Sequence, residues 1–249
     1  MKRVKLFAFM LIVAVSSAHA QDADEIINNY FENTGGYDNW GNLEGVKMTF
    51  KVKQGGLEIP VEAVQMADGR QYSKITFQGN TIMQGVYDGK TLWNTNFQTM
   101  KAEKADSEST ERQKLNENDF PEALYNYKDK GYKVEFVGKE TIEGTETYKI
   151  KLTKEPVTVD GEKLDDITFY YFDTENFVPI AQETEVLSGP QKGVIGQVTF
   201  SDYQEVDGFY FPFSMTQGIK DGGSSPITID SIELNPTVSD NDFAFPEGE

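Results

Sequence analysis

Two-residue turns punctuate this chain from end to end. They stand at Asp68-Gly69, Asp88-Gly89, Glu143-Gly144 and Asp207-Gly208, with Asp173-Thr174-Glu175-Asn176 as a longer version. Residues of this kind tolerate positive φ, the backbone shape that lets two twisted strands fold back on each other. Residues 198–213 are the clearest case: a strand, a turn at Asp207-Gly208, and a second strand. A chain that repeats this grammar builds one large antiparallel sheet.

The strands between the turns are legible from their period. In residues 46–53, Val46, Met48, Phe50 and Val52 point one way and Lys47, Thr49, Lys51 and Lys53 the other, the pattern of a half-buried strand. Further strands are expected near 59–66, 71–78, 81–88, 91–94, 133–138, 145–153, 167–172, 178–187, 193–203, 209–216 and 227–234. With residues 46–53 these are twelve segments, read as a barrel of about eleven strands. Pro60 has no amide hydrogen to give and suits an edge or a bulge. Residues 167–172 are apolar or aromatic on both faces, which implies cover on both.

Two segments read as helices. In residues 22–33, Asp22 or Asp24 can cap the N-terminus, Ile26, Ile27, Tyr30 and Phe31 share one face, and Gly35-Gly36 supplies a stop. Trp40 and Leu43 are expected to seat this helix on the sheet. In residues 120–130, Asp119 is a cap, Pro121 sits where its missing N–H costs least, and Gly131 ends the segment. Residues 106–118 are polar, either a solvated helix or a mobile loop. A sheet this long curls into a barrel or splits into a sandwich. Two helices are too few to cover both faces of a flat sheet, so the expected architecture is mainly β, a curled sheet with the helices over its concave side.

Residues 1–20 have the form of a secretory signal. Lys2, Arg3 and Lys5 precede an apolar run at 6–15, and Ala18-His19-Ala20 is an A-x-A cleavage site. The run is too short to span a bilayer, and Gln21 after the cut gives no lipid-anchoring cysteine. The expected mature product is one domain, residues 21–249, exported to the periplasm. The whole chain carries −18; removing the three basic leader residues leaves 20 Lys and Arg against 41 Asp and Glu, a net of −21. Such a surface repels phosphate backbones and anionic headgroups, which argues against nucleic acid as a partner. There is no cysteine, and the single histidine is His19 in the leader. The mature chain therefore has no Ser-His-Asp or Cys-His machinery and no Cys- or His-ligated metal. No catalytic residue, metal site or cofactor is expected.

Several short motifs, in their order and spacing, resemble the LolA/LolB-like family of periplasmic lipoprotein-sorting proteins. They are Asp88-Gly89-Lys90-Thr91-Leu92-Trp93, the hairpin at 202–212 with Asp207-Gly208-Phe209-Tyr210-Phe211-Pro212, the ending Ile232-Glu233-Leu234-Asn235-Pro236 followed by Phe243, and Tyr30-Phe31-Glu32-Asn33-Thr34-Gly35-Gly36 in the opening helix. The resemblance covers nearly all the mature chain. It implies an unclosed antiparallel β-barrel with a helical lid, LolA-like, a non-enzymatic carrier holding lipoprotein acyl chains or free lipid in an apolar cavity, with membrane-bound donor and acceptor proteins as further partners. The best-known branch has an arginine ahead of the strand leading to the Asp-Gly-Lys-Thr-Leu-Trp turn; the nearest here is Arg70, which does not align cleanly.

On this reading Met48, Phe50, Val52, Ile75, Phe77, Met83 and Trp93 are expected on the inner wall. They form either a packed core or the lining of a lipid cavity. Phe120, Leu124 and Tyr127 are expected as the underside of a lid, or of a helix packed permanently on the sheet. Two other functions stay open. An interaction or envelope-stress sensor module would use the outer surface, where Tyr170, Tyr203 and Tyr210 are candidate contacts or packing residues. A carboxylate hydrolase or calcium site would need paired acids such as Asp165-Asp166, Glu183/Glu185 or Asp240/Asp242. No calcium-loop, phosphate-loop or nucleophile-elbow motif accompanies them.

Overall fold

The structure, a computed structural model, describes residues 22–246; the signal at residues 1–20 lies outside them. The chain opens with α1 (Ala23–Asn33) and a single helical turn, α2 (Tyr37–Trp40). A meander of six strands follows: β1 (Gly45–Gln54), β2 (Leu57–Met66), β3 (Gln71–Phe77), β4 (Asn80–Tyr87), β5 (Leu92–Thr95) and β6 (Ala102–Lys104). A third helix, α3 (Ser107–Asn116), continues through a 3-10 turn at Glu117–Asp119. The second half holds β7 (Lys133–Ile142), β8 (Thr145–Thr153), the small hairpin β9 (Val157–Val159) and β10 (Glu162–Leu164), then β11 (Ile167–Asp173), β12 (Pro179–Glu185), β13 (Ile195–Val206), β14 (Phe209–Ile219) and β15 (Ser224–Leu234).

Thirteen strands form one sheet in the order β6, β5, β4, β3, β2, β1, β15, β14, β13, β12, β11, β8, β7, and β9 pairs only with β10. Every neighbouring pair is antiparallel. The edge strands β6 and β7 do not pair, so the barrel is unclosed. The described residues hold fifteen strands, three beyond the twelve segments named from the sequence: β6, β9 and β10 are three residues each, too short to show a period. Turn chemistry was a better guide than strand length. At Glu143-Gly144 and Asp207-Gly208 both residues have positive φ, the primed turn whose twist matches its strands. Pro60 corrects an expectation: β2 is a central strand. Pro60 faces Lys51 in β1, but the β2–β3 ladder starts only at Val61, so no bond on that side needs its amide.

The alternation of β1 sets the two faces. Lys47, Lys51 and Lys53 lie on the convex side in ion pairs with Glu233, Asp230 and Glu58. Val46 and Met48 lie on the concave side beside Leu234 and Ile232. Over this concave side sits α1. The Asp22 carboxylate caps it by accepting the Asp24 N–H at 3.3 Å, and Ile26, Ile27, Tyr30 and Phe31 are all buried. They pack with Trp40, Leu43, Tyr148, Ile150, Leu152, Tyr170, Phe172, Phe209 and Phe211 in the main core. The helix exit is stitched to the β13–β14 hairpin, where the Tyr210 N–H donates to the Thr34 carbonyl at 2.9 Å. Gly35 is required at this junction. Its φ is +149°, and a Cβ there would stand 2.7 Å from the Phe209 ring.

Residues 120–130 are not a helix, contrary to expectation. They form successive turns, because Asn126 has φ +48° and breaks the helical ladder. The remaining bonds are short-range, such as Tyr125 N–H to the Glu122 carbonyl and Asp129 N–H to the Asn126 carbonyl, both 3.0 Å. Contact with α1 replaces the missing ladder. Leu124 is fully buried, the Tyr125 ring meets Phe31 edge-on at 5.4 Å, and the Tyr127 hydroxyl donates to Asp24. With α1 this segment forms a plug over one end of the concave wall. Glu122 lies inside it, accepting the Tyr170 hydroxyl at 3.0 Å. Burial pushes its carboxyl above the usual range, an effect the Tyr170 bond partly offsets.

A second, smaller core lies on the convex side. Phe243, fully buried, packs with Val64, Met66, Val86 and Trp93, with Tyr72, Met83 and Phe245 against them. The Trp93 indole donates to the Phe243 carbonyl at 3.0 Å. Arg70 secures this tail: its guanidinium lies 4.9 Å over the Phe243 ring and pairs with Asp240 at 2.7 Å.

Two expected outcomes follow from this packing. Phe243→Ala should cost about 3–5 kcal/mol, the usual range for a buried Phe, seen as a lowered urea midpoint with a red shift of tryptophan emission as Trp93 is uncovered. Glu122 has a raised folded-state pKa, so its contribution is complete at acid pH and is lost as pH rises through that value. Glu122→Gln keeps the acceptor for Tyr170. It should match the parent near pH 4 and exceed its urea midpoint at pH 8; equal midpoints throughout would refute the burial argument.

Candidate functional site

Ladder partners share a face, so the register fixes where each expected wall residue lies. Phe50 pairs with Val61, Val61 with Ile75, and Ile75 with Ile82. That row crosses β1 to β4 on the concave side, and on the far side of β1 Phe50 meets Ile229. One step along, Val52 pairs with Ile59 and Ile227, Ile227 with Met215, and Met215 with Phe200. Phe77 follows Ile75 on the same face. Phe50, Val52, Ile75 and Phe77 are half-buried, while Val61, Ile82, Ile227 and Ile229 are buried. Met48 lines a concave pocket of about 220 Å³ with Val46, Ala63, Gln65, Gln71 and Ser73.

Met83 and Trp93 are corrections. Met83 pairs with Lys74, which pairs with Glu62 and so with Thr49, all on the convex side. Trp93 pairs with Val86 and lies under the C-terminal tail. Two features misled the reading. Ile82 and Met83 are both apolar, so their order says nothing about which faces inward. A bulge at Gly85, φ +59°, then shifts the β3–β4 register and reverses the phase before Val86. Arg70 likewise serves the tail.

Phe120, Leu124 and Tyr127 pack against the α1 core as part of the plug. The element that crosses the open half of the concave wall is the polar segment, α3. It touches β5 on one side and β9 on the other. Tyr87, on the concave face, donates its hydroxyl to Glu117 just beyond α3 at 2.7 Å. Glu108 accepts the amides of Asp160 and Gly161 in the β9–β10 turn at 2.8 and 3.3 Å. Asp106 caps α3 through the Ser109 N–H at 2.6 Å. A helix without an apolar face gave no hydrophobic period to read; its cap was the available signal.

A second concave pocket, about 300 Å³, lies beyond the plug at the open end. Leu152, Tyr170, Val198 and Ala123 supply its apolar surface, and Asp119, Lys154, Thr168, Thr184, Gln182 and Gln217 its polar groups. Lys154 bridges Asp119 and Asp166, each at 2.9 Å. Burial alone would lower its pKa, but the two carboxylates more than compensate and raise it. Asp119 also accepts the Tyr132 hydroxyl at 2.9 Å.

The remaining candidates are engaged in structure. Tyr170 is buried, Tyr203 donates to the Pro179 carbonyl at 2.6 Å, and Tyr210 is exposed. Glu183 is buried on the convex side, bonded by Tyr171, Gln197 and Lys220 at 2.7–2.9 Å. Burial opposes its ionisation, yet Lys220 and the two hydrogen bonds hold its pKa below the usual range. Asp242 accepts the Ser239 N–H in a capping box. Among the described residues no group of three or more His, Cys, Asp or Glu could hold a metal ion, and no helix is long and apolar enough to cross a membrane.

A family model described as "-like: Uncharacterized protein" matches residues 79–245. No curated protein matches the chain significantly. Among solved structures, a LolA superfamily protein from Nitrosomonas europaea is 15% identical at a TM-score of 0.54, covering 90% of this chain and 97% of that one. A domain given as an outer membrane lipoprotein-sorting protein, from Vibrio parahaemolyticus, is 12% identical at 0.50, covering 88% and 94%. A DUF1329 family protein from Desulfovibrio piger is 14% identical at 0.51, covering 89% and 96%. At these identities the likeness is one of fold. The chain belongs to the uncharacterized family whose model covers residues 79–245, and it has the LolA-like unclosed β-barrel fold.

Proposed function

We propose that the protein is a non-enzymatic periplasmic carrier or binder of lipid-modified proteins or lipids, holding acyl chains against its concave wall, in lipoprotein sorting to the outer membrane. The observation that carries this reading is the apolar track outside the plug. It runs from the Met48 pocket past Phe50 and Ile229 to Val52, Ile227, Met215 and Phe200. Strand spacing and rise give it a span of roughly 20 Å. An acyl chain gains about 0.8 kcal/mol per buried CH₂, so a long apolar track with few polar contacts suffices to hold one. Met48 and Met215 suit such a role because a flexible thioether adapts to different chains. The sorting name of the Vibrio parahaemolyticus domain, the LolA superfamily name of the Nitrosomonas europaea protein and the leader-like residues 1–20 support the same direction.

The alternative is an interaction or sensor module on the same scaffold. It is favoured by one hairpin tip, between β5 and β6, where Phe97 is 64% and Met100 43% exposed. Membrane-bound donor and acceptor proteins fit either reading.

The decisive measurement is mass spectrometry of lipids that co-purify with the mature protein, followed by displacement of a fluorescent fatty acid. Phe50→Glu and Phe77→Glu should each weaken fatty-acid binding at least about tenfold, since a buried charge opposes the chain. Absence of bound lipid, with a protein partner captured equally by both variants, would replace the carrier with the interaction module.

A further inference from the structure

The pocket at the open end is chemically unlike the track that leads to it. Gln182 and Gln217 lie on its wall, and among the described residues their side-chain amides have no protein hydrogen-bond partner. Thr168 and Thr184 stand beside them, their hydroxyls 2.8 Å apart. The aromatic body of Tyr170 and the side chains of Leu152 and Val198 complete the surface. Val186, Gly196, Gln217 and Gly218 also line a rim pocket of about 560 Å³ that continues outward with Gln191, Ser224 and Ser225. The polar groups thus run from the inner pocket to solvent.

The charges present do not recognise a charged headgroup. The ammonium of Lys154 is shared by Asp119 and Asp166, so an anion would meet two carboxylates around one cation. A cation would have to displace Lys154 from Asp119, which Tyr132 also holds. The groups left over are amides and hydroxyls. Each Gln amide offers two donors and an acceptor, which is the complement of neighbouring hydroxyl groups on a ligand; the Thr168 and Thr184 hydroxyls bond each other and Thr184 also donates to the Ile167 carbonyl at 3.3 Å, so they present acceptor lone pairs. A space of about 300 Å³ corresponds to roughly ten waters at ~30 Å³ each, close to the heavy-atom count of one hexose.

We propose that this pocket binds an uncharged, polyhydroxylated sugar headgroup, and that the lipid carrying it lays its chains along the concave track. The second half of this statement rests on the acyl-chain reading above; the first does not. The register places the two parts in one molecule's reach. Val198 pairs with Gln217, and two residues along each strand stand Phe200 and Met215, where the track begins.

The test uses the mature full-length chain, its Gln182→Leu/Gln217→Leu variant, and three probes. Two are glucosyl-diacylglycerol and phosphatidylglycerol with identical acyl chains, offered in competition with a fluorescent fatty acid. The third is methyl glucoside, which has the sugar without the chains. The parent should prefer the glucosyl lipid by about tenfold or more, the worth of one or two net hydrogen bonds. The double variant should lose that preference while keeping its affinity for the fatty acid. Gln217→Ala, at an exposed position, replaces the double variant if that one folds poorly, with a partial loss expected. Equal binding of the two lipids by the parent, or a preference that survives the substitutions, overturns the proposal. If no chain-bearing probe binds but methyl glucoside does, and the variants abolish it, the sugar site stands and the acyl-chain reading falls. If nothing binds, both fall.

Discussion

The protein is shaped by what occupies the inside of its curled sheet. The chain leaves β6, crosses the concave side as α3 and the plug, and only then begins β7. Those two strands are the sheet's edges, and the intervening segment runs from one to the other across the concave side. Closure would bury this crossing with its polar groups, several of which need water or a specific partner. The edges are managed by other means: β6 is three residues long and carries Glu103 and Lys104, and the exposed positions of β7 carry Lys133, Glu135 and Lys139 around Val137.

Anchoring at one end leaves the other end different in character. Around α1 the rings of Tyr30, Phe31, Trp40, Phe172, Phe209 and Phe211 meet at tilted and edge-on angles with centroids 4.7–6.2 Å apart, the geometry favoured by aromatic quadrupoles. That region is core in the ordinary sense. Farther along the strands the wall keeps its apolar residues, but they are covered more loosely, by polar elements. α3 and the turn after it are held by hydrogen bonds such as those of Glu108 and Glu117. Such bonds contribute about 1 kcal/mol each, little compared with burial of the plug.

Much of the fold was legible in the residues. Asp-Gly and Glu-Gly pairs gave the hairpins because few residues accept positive φ. The alternation of β1 gave its faces because side-chain period in a strand is fixed at two. The cap at Asp22 and the stop at Gly35-Gly36 gave α1 to within a residue. The candidate site was read less completely. Met48, Phe50, Val52, Ile75 and Phe77 do share one face, but Met83 and Trp93 belong to the other: Ile82 and Met83 are both apolar, so hydrophobicity does not tell their faces apart, and a one-residue bulge at Gly85 then exchanges faces before β5. α3 has no apolar face and offered only its cap at Asp106, while the apolar residues at 120–130 read as an amphipathic helix. Those residues are apolar for a different reason, namely their contact with α1.

The residues alone determined which neighbouring strands fold back as hairpins, that residues 21–249 contain no cysteine or histidine, and that one face of the sheet is apolar. These are local properties, set by φ preference, side-chain period and composition. Tertiary structure decided where the apolar face is filled and where it is left with space, and it brought Lys154, Asp119, Gln182 and Gln217 to one pocket from four distant positions. No local pattern encodes that meeting, because it depends on the curl of thirteen strands and on the path of the chain across their concave side.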